Sequence, residues 1–246
     1  MSPILYFVPS LFTMLNLGFG TVSIALSVNG NTVLAAWFVI FAILCDGMDG
    51  KIARLTHTTS SFGNELDSLA DIVSSGVAPG TLIFRLLSGS NFFAAVVFLL
   101  FYVSAGTYRL ARFNVLQKGD RTKGYLGLPI PVAGFTIASF CLFLDQNSVY
   151  FITQNWLYCI VPVVSLLMVS TVPYAWPRLE FSKGKTRIFI SIAKLAVLAA
   201  MTLFPYQVLF PVFCGYIIYG VTCRLIKPET AAYGFFLIRH NTKQVK

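Results

Sequence analysis

Charge is scarce in this chain, and acid is scarcest. Charged residues make up 11% of its 246 residues, and only nine are Asp or Glu. The length alone would allow one or two soluble domains, but no polar stretch is long enough to build one. Five cysteines (Cys45, Cys141, Cys159, Cys214, Cys223) are scattered without a CxxC pair. That spacing argues against a disulfide framework or a zinc site and reads as small buried hydrophobes. His57 and His240 each stand alone, one in a loop and one in a polar tail, and both are read as solvated. The N-terminus lacks a basic region and a small-residue cleavage site, so the first apolar span is expected to stay in the mature protein. There is no low-complexity segment and no internal repeat.

What is abundant is hydrocarbon. The chain is 57% hydrophobic, which places it among polytopic membrane proteins. A helix needs about 20 mainly apolar residues to cross a bilayer. Eight stretches qualify, at roughly 8–28, 32–53, 66–87, 92–113, 128–145, 150–173, 187–204 and 206–225. The expected fold is therefore an all-α membrane bundle of about eight transmembrane helices. A single integral-membrane domain would span 1–246, with a catalytic core over about 8–135 and additional helices over about 150–225. Gly and Pro within the spans are read as sites of close packing and kinking.

The net charge of +9 is not a nucleic-acid patch, because the cations sit in short loops between spans. They cluster after span two (Lys51, Arg54), after span four (Arg109, Arg112, Lys118, Arg121, Lys123), after span six (Arg178, Lys183, Lys185, Arg187) and in the C-terminal tail. The loops after spans one, three, five and seven have none. By the positive-inside rule both termini are expected in the cytoplasm. Arg85 and Lys194 fall within spans and are expected to snorkel to the interfaces.

Against this background one stretch stands out. Asp46, Asp49, Asp67 and Asp71 hold four of the nine acids at the cytoplasmic ends of spans two and three. A carboxylate at membrane depth costs about 2.5–3.5 kcal/mol on insertion, so the default reading is a functional site. Asp46 and Asp49 are spaced i, i+3, and Asp67 and Asp71 are spaced i, i+4, so each pair shares one helix face. A short loop makes spans two and three antiparallel neighbours. Four carboxylates meeting there would repel one another unless cations neutralise them. An oxygen-only donor set favours Mg²⁺, Mn²⁺ or Ca²⁺ and has room for two ions. Such a pair suits a phosphate-bearing substrate. Gly47, Gly50 and Ala53 leave space beside the second span, Arg54 can pair with a phosphate, and Ser60 offers a loop hydroxyl.

The pattern Asp-x2-Asp-Gly-x2-Ala-Arg-x8-Gly-x3-Asp-x3-Asp, met by Asp46, Asp49, Gly50, Ala53, Arg54, Gly63, Asp67 and Asp71, resembles the signature of the CDP-alcohol phosphatidyltransferases. The resemblance implies two divalent metals, Mg²⁺ or Mn²⁺, held by Asp46, Asp49, Asp67 and Asp71, with Asp71 also the general base. It implies contacts with the CDP-lipid along Gly50, Ala53, Arg54, Ser60 and Gly63. The family's Pro-Asn-x-x-Thr element in the first span is here Pro9-Ser10-Leu11-Phe12-Thr13. Thr13 matches and implies a nucleotide contact, whereas Ser10 replaces the Asn. Family members are often homodimers, which implies a second copy as partner.

Two further stretches resemble the phosphatidylserine synthase branch of that family. They are Tyr108-Arg109-Leu110-Ala111-Arg112-Phe113-Asn114 and Tyr125-Leu126-Gly127-Leu128-Pro129-Ile130-Pro131. The likeness implies CDP-diacylglycerol and L-serine as substrates, at the cytoplasmic face of the inner membrane. Serine differs from inositol and glycerol in carrying a carboxylate, and Arg is its natural bidentate partner. Arg109, Arg112 and Asn114 are thus acceptor-site candidates, the arginines also being readable as positive-inside residues. The Gly-Leu-Pro-Ile-Pro stretch is expected to be a rigid re-entry into the fifth span. Two other readings remain: a sister transferase using glycerol phosphate, choline or inositol, and, from another class, a cation transporter with buried aspartates.

Overall fold

The computed structural model describes residues 4–56, 60–117, 127–146, 150–172, 174, 197 and 199–226. Among them every regular element is helical. Eight α-helices follow in order: α1 (Ile4–Val28), α2 (Thr32–Leu55), α3 (Ser61–Asp71), α4 (Ala78–Ser88), α5 (Phe92–Gln117), α6 (Ile130–Gln146), α7 (Tyr150–Val169) and α8 (Pro205–Ile226). A π turn, Ile72–Val77, joins α3 to α4.

Among the described residues five stretches are long and apolar enough to cross a membrane: Pro9–Val28, Thr32–Ile52, Phe62–Ser88, Phe92–Val115 and Pro205–Cys223. Ile130–Asp145 and Asn155–Val169 are shorter apolar helices. The expected spans therefore fall on helices, save the one over 187–204, most of which lies outside the described residues. His57, Lys194, His240 and the whole tail from 227 also lie outside them.

The first two helices form a tight antiparallel hairpin, the most extensive helix pairing among the described residues. Its turn closes by two bonds around a left-handed glycine. Gly30, at φ +87°, donates its N–H to the Ser27 carbonyl, and Asn31 donates to Leu26. This pairing is a Schellman motif, which needs a residue at positive φ. Ser23 Oγ then donates across the hairpin to the Ala35 carbonyl at 2.8 Å.

The helix α6 lies at the centre. Ile130, Ala133, Ile137, Ala138, Leu142 and Leu144 along it are almost fully buried, and it packs against α2, α4, α7, α8 and the π turn. A helix that is apolar on every side belongs inside a bundle. Two backbone bonds anchor the entry into it. The N–H of Gly127 donates to the Val172 carbonyl at 2.9 Å, and that of Leu128 to the Leu167 carbonyl at 3.0 Å. The start of α6 is thereby pinned to the end of α7.

Candidate active site

Three helices converge on the four aspartates. The last three turns of α2 carry Asp46 and Asp49, α3 carries Asp67 and Asp71, and α1 packs against both. Ligand oxygens of Asp46, Asp49 and Asp67 lie within 4.8 Å of one another, and the Asp46 carboxylate is in hydrogen-bond reach of both Asp67 and Asp71. The face-sharing inferred from the i, i+3 and i, i+4 spacings thus brings both pairs to one place. Asp49 is only 4% exposed, and Asp67 Oδ1 is buried without a hydrogen-bond partner.

The first helix supplies two polar side chains. The Thr13 hydroxyl donates to Asp49 Oδ2 at 2.9 Å. The Asn16 amide, one turn further along the same face, reaches Asp71 Oδ1 with its Nδ2 at 3.5 Å. Thr13 and Asn16 are both buried. Asn16 was not among the residues that sequence reasoning singled out. The available signal was an amide in an apolar span, one turn from Thr13.

The connecting segment is shaped by its cap. Ser60 stands at the N-cap of α3 and its hydroxyl oxygen accepts from the Gly63 N–H at 2.9 Å. A Cβ on residue 63 would sit 3.0 Å from that oxygen, so glycine allows the cap to close. Gly47 is exposed, and an added Cβ there would meet no other part of the protein within 4 Å. Gly50 lies on α2 next to Asp49, and Ala53 and Arg54 lie on its last turn, the side chains of those last two outside the described residues.

The acceptor candidates on α5 are not equivalent. Arg109 is 5% exposed, with its guanidinium 5.1 Å from the Phe113 ring centroid. Arg112 turns to the end of α7, donating to the carbonyls of Val169 at 2.7 Å, Ser170 at 2.9 Å and Met168 at 3.3 Å. Helix C-termini leave such carbonyls open and carry partial negative charge, so a cation there acts as a cap. Asn114 Nδ2 donates to Ser68 Oγ at 3.0 Å, tying α5 to the residue after Asp67.

Comparison with known proteins decides the family. The model for CDP-alcohol phosphatidyltransferases matches residues 6–169. The chain belongs to this family. It is similar to the CDP-diacylglycerol–serine O-phosphatidyltransferase of Helicobacter pylori, at 37% identity over 223 residues, 88% of this chain and 90% of that protein. The archaetidylserine synthase of Methanothermobacter thermautotrophicus is 40% identical over 176 residues, 70% of each chain. A CDP-diacylglycerol–serine O-phosphatidyltransferase of Methanocaldococcus jannaschii is 33% identical over 210 residues, covering 85% of this chain and 90% of its own length. The match spans α1 to α7, the helices that contribute every residue of the carboxylate cluster.

The residues fit divalent cations. The donor set is carboxylate oxygen, which hard ions prefer. Three donors already converge, and one buried oxygen of Asp67 is left for a ligand.

Proposed function

We propose that this enzyme transfers a phosphatidyl group from CDP-diacylglycerol to the hydroxyl of L-serine, giving phosphatidylserine and CMP. The meeting of Asp46, Asp49 and Asp67 within 4.8 Å carries the reaction class. The acceptor follows the relatives, whose names share serine.

Asp46, Asp49, Asp67 and Asp71 would hold two divalent cations, Mg²⁺ or Mn²⁺. Bound there, these ions would neutralise the carboxylates and offset charge developing on the pyrophosphate. Asp71 accepts the serine hydroxyl proton as the oxygen bonds to the lipid-bound phosphorus. The bond from that phosphorus to the bridging oxygen breaks, and CMP leaves with the electron pair. Asn16 orients Asp71, and Thr13 orients Asp49. Gly50, Ala53, Arg54, Ser60 and Gly63 line the CDP-lipid side, with Arg54 taking a phosphate. Arg109 receives the serine carboxylate, and Asn114 lies where α5 meets α3. Most of the rate enhancement would come from positioning and fixed charge.

The protein works as one integral domain over 1–246 of the inner membrane, and the loop cations support both termini and the site at its cytoplasmic face. There soluble serine enters and CMP leaves, while the lipid arrives sideways from the bilayer. About eight spans and a homodimer complete the proposal, the latter supported by the family resemblance.

The test is CMP release by the purified protein in Mg²⁺ or Mn²⁺. CDP-diacylglycerol and a CDP-activated archaetidyl lipid are each offered with serine, glycerol phosphate, choline or inositol. Release with serine alone is expected, and a metal chelator should stop it. Absence of serine-dependent release overturns the acceptor. Metal flux in proteoliposomes without any need for CDP-lipid would instead favour a transporter.

A further inference from the structure

The carboxylate helix does not run on as a plain α-helix. Between Asp71 and Ala78 the backbone widens into a π turn, where the Ala78 N–H donates to the Val73 carbonyl five residues back. Such insertions are rare and concentrate at functional sites. The effect here is angular. In an unbroken α-helix Ala78 and Leu82, seven and eleven residues beyond Asp71, would lie on the face of Asp71. One extra residue rotates the following helix by about 100°. Ala78 and Leu82 thereby enter the apolar core, where both are fully buried, while Asp67 and Asp71 face the other carboxylates.

Three neighbours grip this turn from three helices. Tyr102 of α5 is 0% exposed, and its hydroxyl donates to the Ser75 carbonyl at 3.1 Å. Gly20 of α1 admits the turn so closely that a Cβ there would sit 2.7 Å from Ser74 Cα. Gly134 of α6 does likewise, with a Cβ 3.1 Å from the Ser75 carbonyl oxygen. The two glycines make room, and among these three only Tyr102 supplies a directional bond.

We propose that Tyr102 is a positioning residue: its bond to Ser75 holds the π turn that sets the azimuth of Asp67 and Asp71 against α2. Tyr102 acts through the turn and touches none of the reacting groups. The inference rests on the transferase reading above. Removing the hydroxyl releases the turn toward α winding, which swings the two aspartates out of register while the ring still fills its place in the core. Misplacement of a reacting group by about 1 Å is worth as much as 100-fold in rate.

The test is Tyr102→Phe in the full-length purified protein, read in kcat, both KM values, the folded fraction and Mn²⁺ affinity by electron paramagnetic resonance. The expected result is a fall in kcat of about tenfold or more, with both KM values within about twofold and the folded fraction unchanged. Mn²⁺ binding should weaken in parallel. Gly134→Ala presses on the same carbonyl from α6 and should show the same split. Unchanged kcat and Mn²⁺ affinity in Tyr102→Phe overturns the proposal, as does lost activity that merely tracks lost folded protein. If the wild-type protein shows no serine-dependent CMP release, the transferase reading falls. The Mn²⁺ comparison then still decides, and equal affinity in both proteins overturns the positioning role.

Discussion

The Thr13 hydroxyl on α1 donates to the Asp49 carboxylate on α2 at 2.9 Å, and each side chain is 4% exposed. The hairpin of the first two helices is therefore more than a packing unit. It fixes one oxygen of a carboxylate that lies beside those of Asp46 and Asp67. A buried carboxylate held by a neutral donor points in one direction.

Thr13→Val keeps the shape of the side chain and removes the donor. A hydrogen bond to a charged group contributes about 1.5–3 kcal/mol, so metal affinity and kcat/KM should drop by about tenfold or more. Thr13→Ser should retain most of both. Titration of Mn²⁺ into the two variants checks this, and equal affinities would remove Thr13 from the site.

Asp71→Asn should abolish turnover while leaving CDP-lipid binding largely intact. Loss of a general base lowers rate by about 10²–10⁴-fold, whereas the lipid and nucleotide contacts are proposed at other residues. Measured CDP-lipid affinity and single-turnover CMP release separate the two effects. Equal losses in both would argue against a dedicated base.

The carboxylate cluster was legible in the sequence because its spacing obeys helix geometry. Asp46 with Asp49 and Asp67 with Asp71 could each be placed on one face without knowing the fold. Five of the eight expected spans were equally legible, since twenty apolar residues have few alternatives, whereas those over 128–145 and 150–173 fall on shorter apolar helices. Three features were not. The π turn at Ile72–Val77 leaves no compositional mark, because it is selected by Tyr102, Gly20 and Gly134 from distant helices. Asn16 was hidden because an isolated amide in an apolar span has no periodic partner. Arg109 and Arg112 looked alike on paper, one turn apart, and only the position of the α7 terminus separates them.

That separation predicts different failures. Arg112→Lys loses the planar fork that reaches three carbonyls, and should destabilise the protein by about 2 kcal/mol with little change in KM for serine. Arg109→Lys keeps the charge but not the bidentate geometry, and should raise KM for serine by about tenfold while sparing KM for CDP-lipid. Thermal unfolding in detergent and substrate titrations give the two readouts. A shift in serine KM for Arg112→Lys alone would exchange the roles.

Gly127 should tolerate no side chain. It sits at φ +82°, where L residues are strained. A Cβ there would collide with the Met168 carbonyl oxygen and lie 2.9 Å from that of Ser170. Gly127→Ala is expected to cost more than about 2 kcal/mol, seen as a lower unfolding temperature and a smaller monodisperse fraction in detergent. Wild-type stability would mean that the α6 entry is not pinned to α7.

Asn16 offers a test in which charge and shape disagree. Its Nδ2 lies 3.5 Å from Asp71 Oδ1, its own Oδ1 is buried without a partner, and the residue is 0% exposed. Asn16→Ala removes the donor and should lower kcat by about tenfold, the worth of one bond to a charged group. Asn16→Asp fits the same volume but replaces the donor with a further carboxylate beside Asp71, so like charges repel in a site of low polarity. A packing role would rank Asn16→Asp above Asn16→Ala, because the isosteric side chain leaves no cavity. An orienting role ranks it below, with kcat down by about 100-fold or more and folded protein retained. Single-turnover CMP release at saturating metal, normalised to folded protein, gives the order directly.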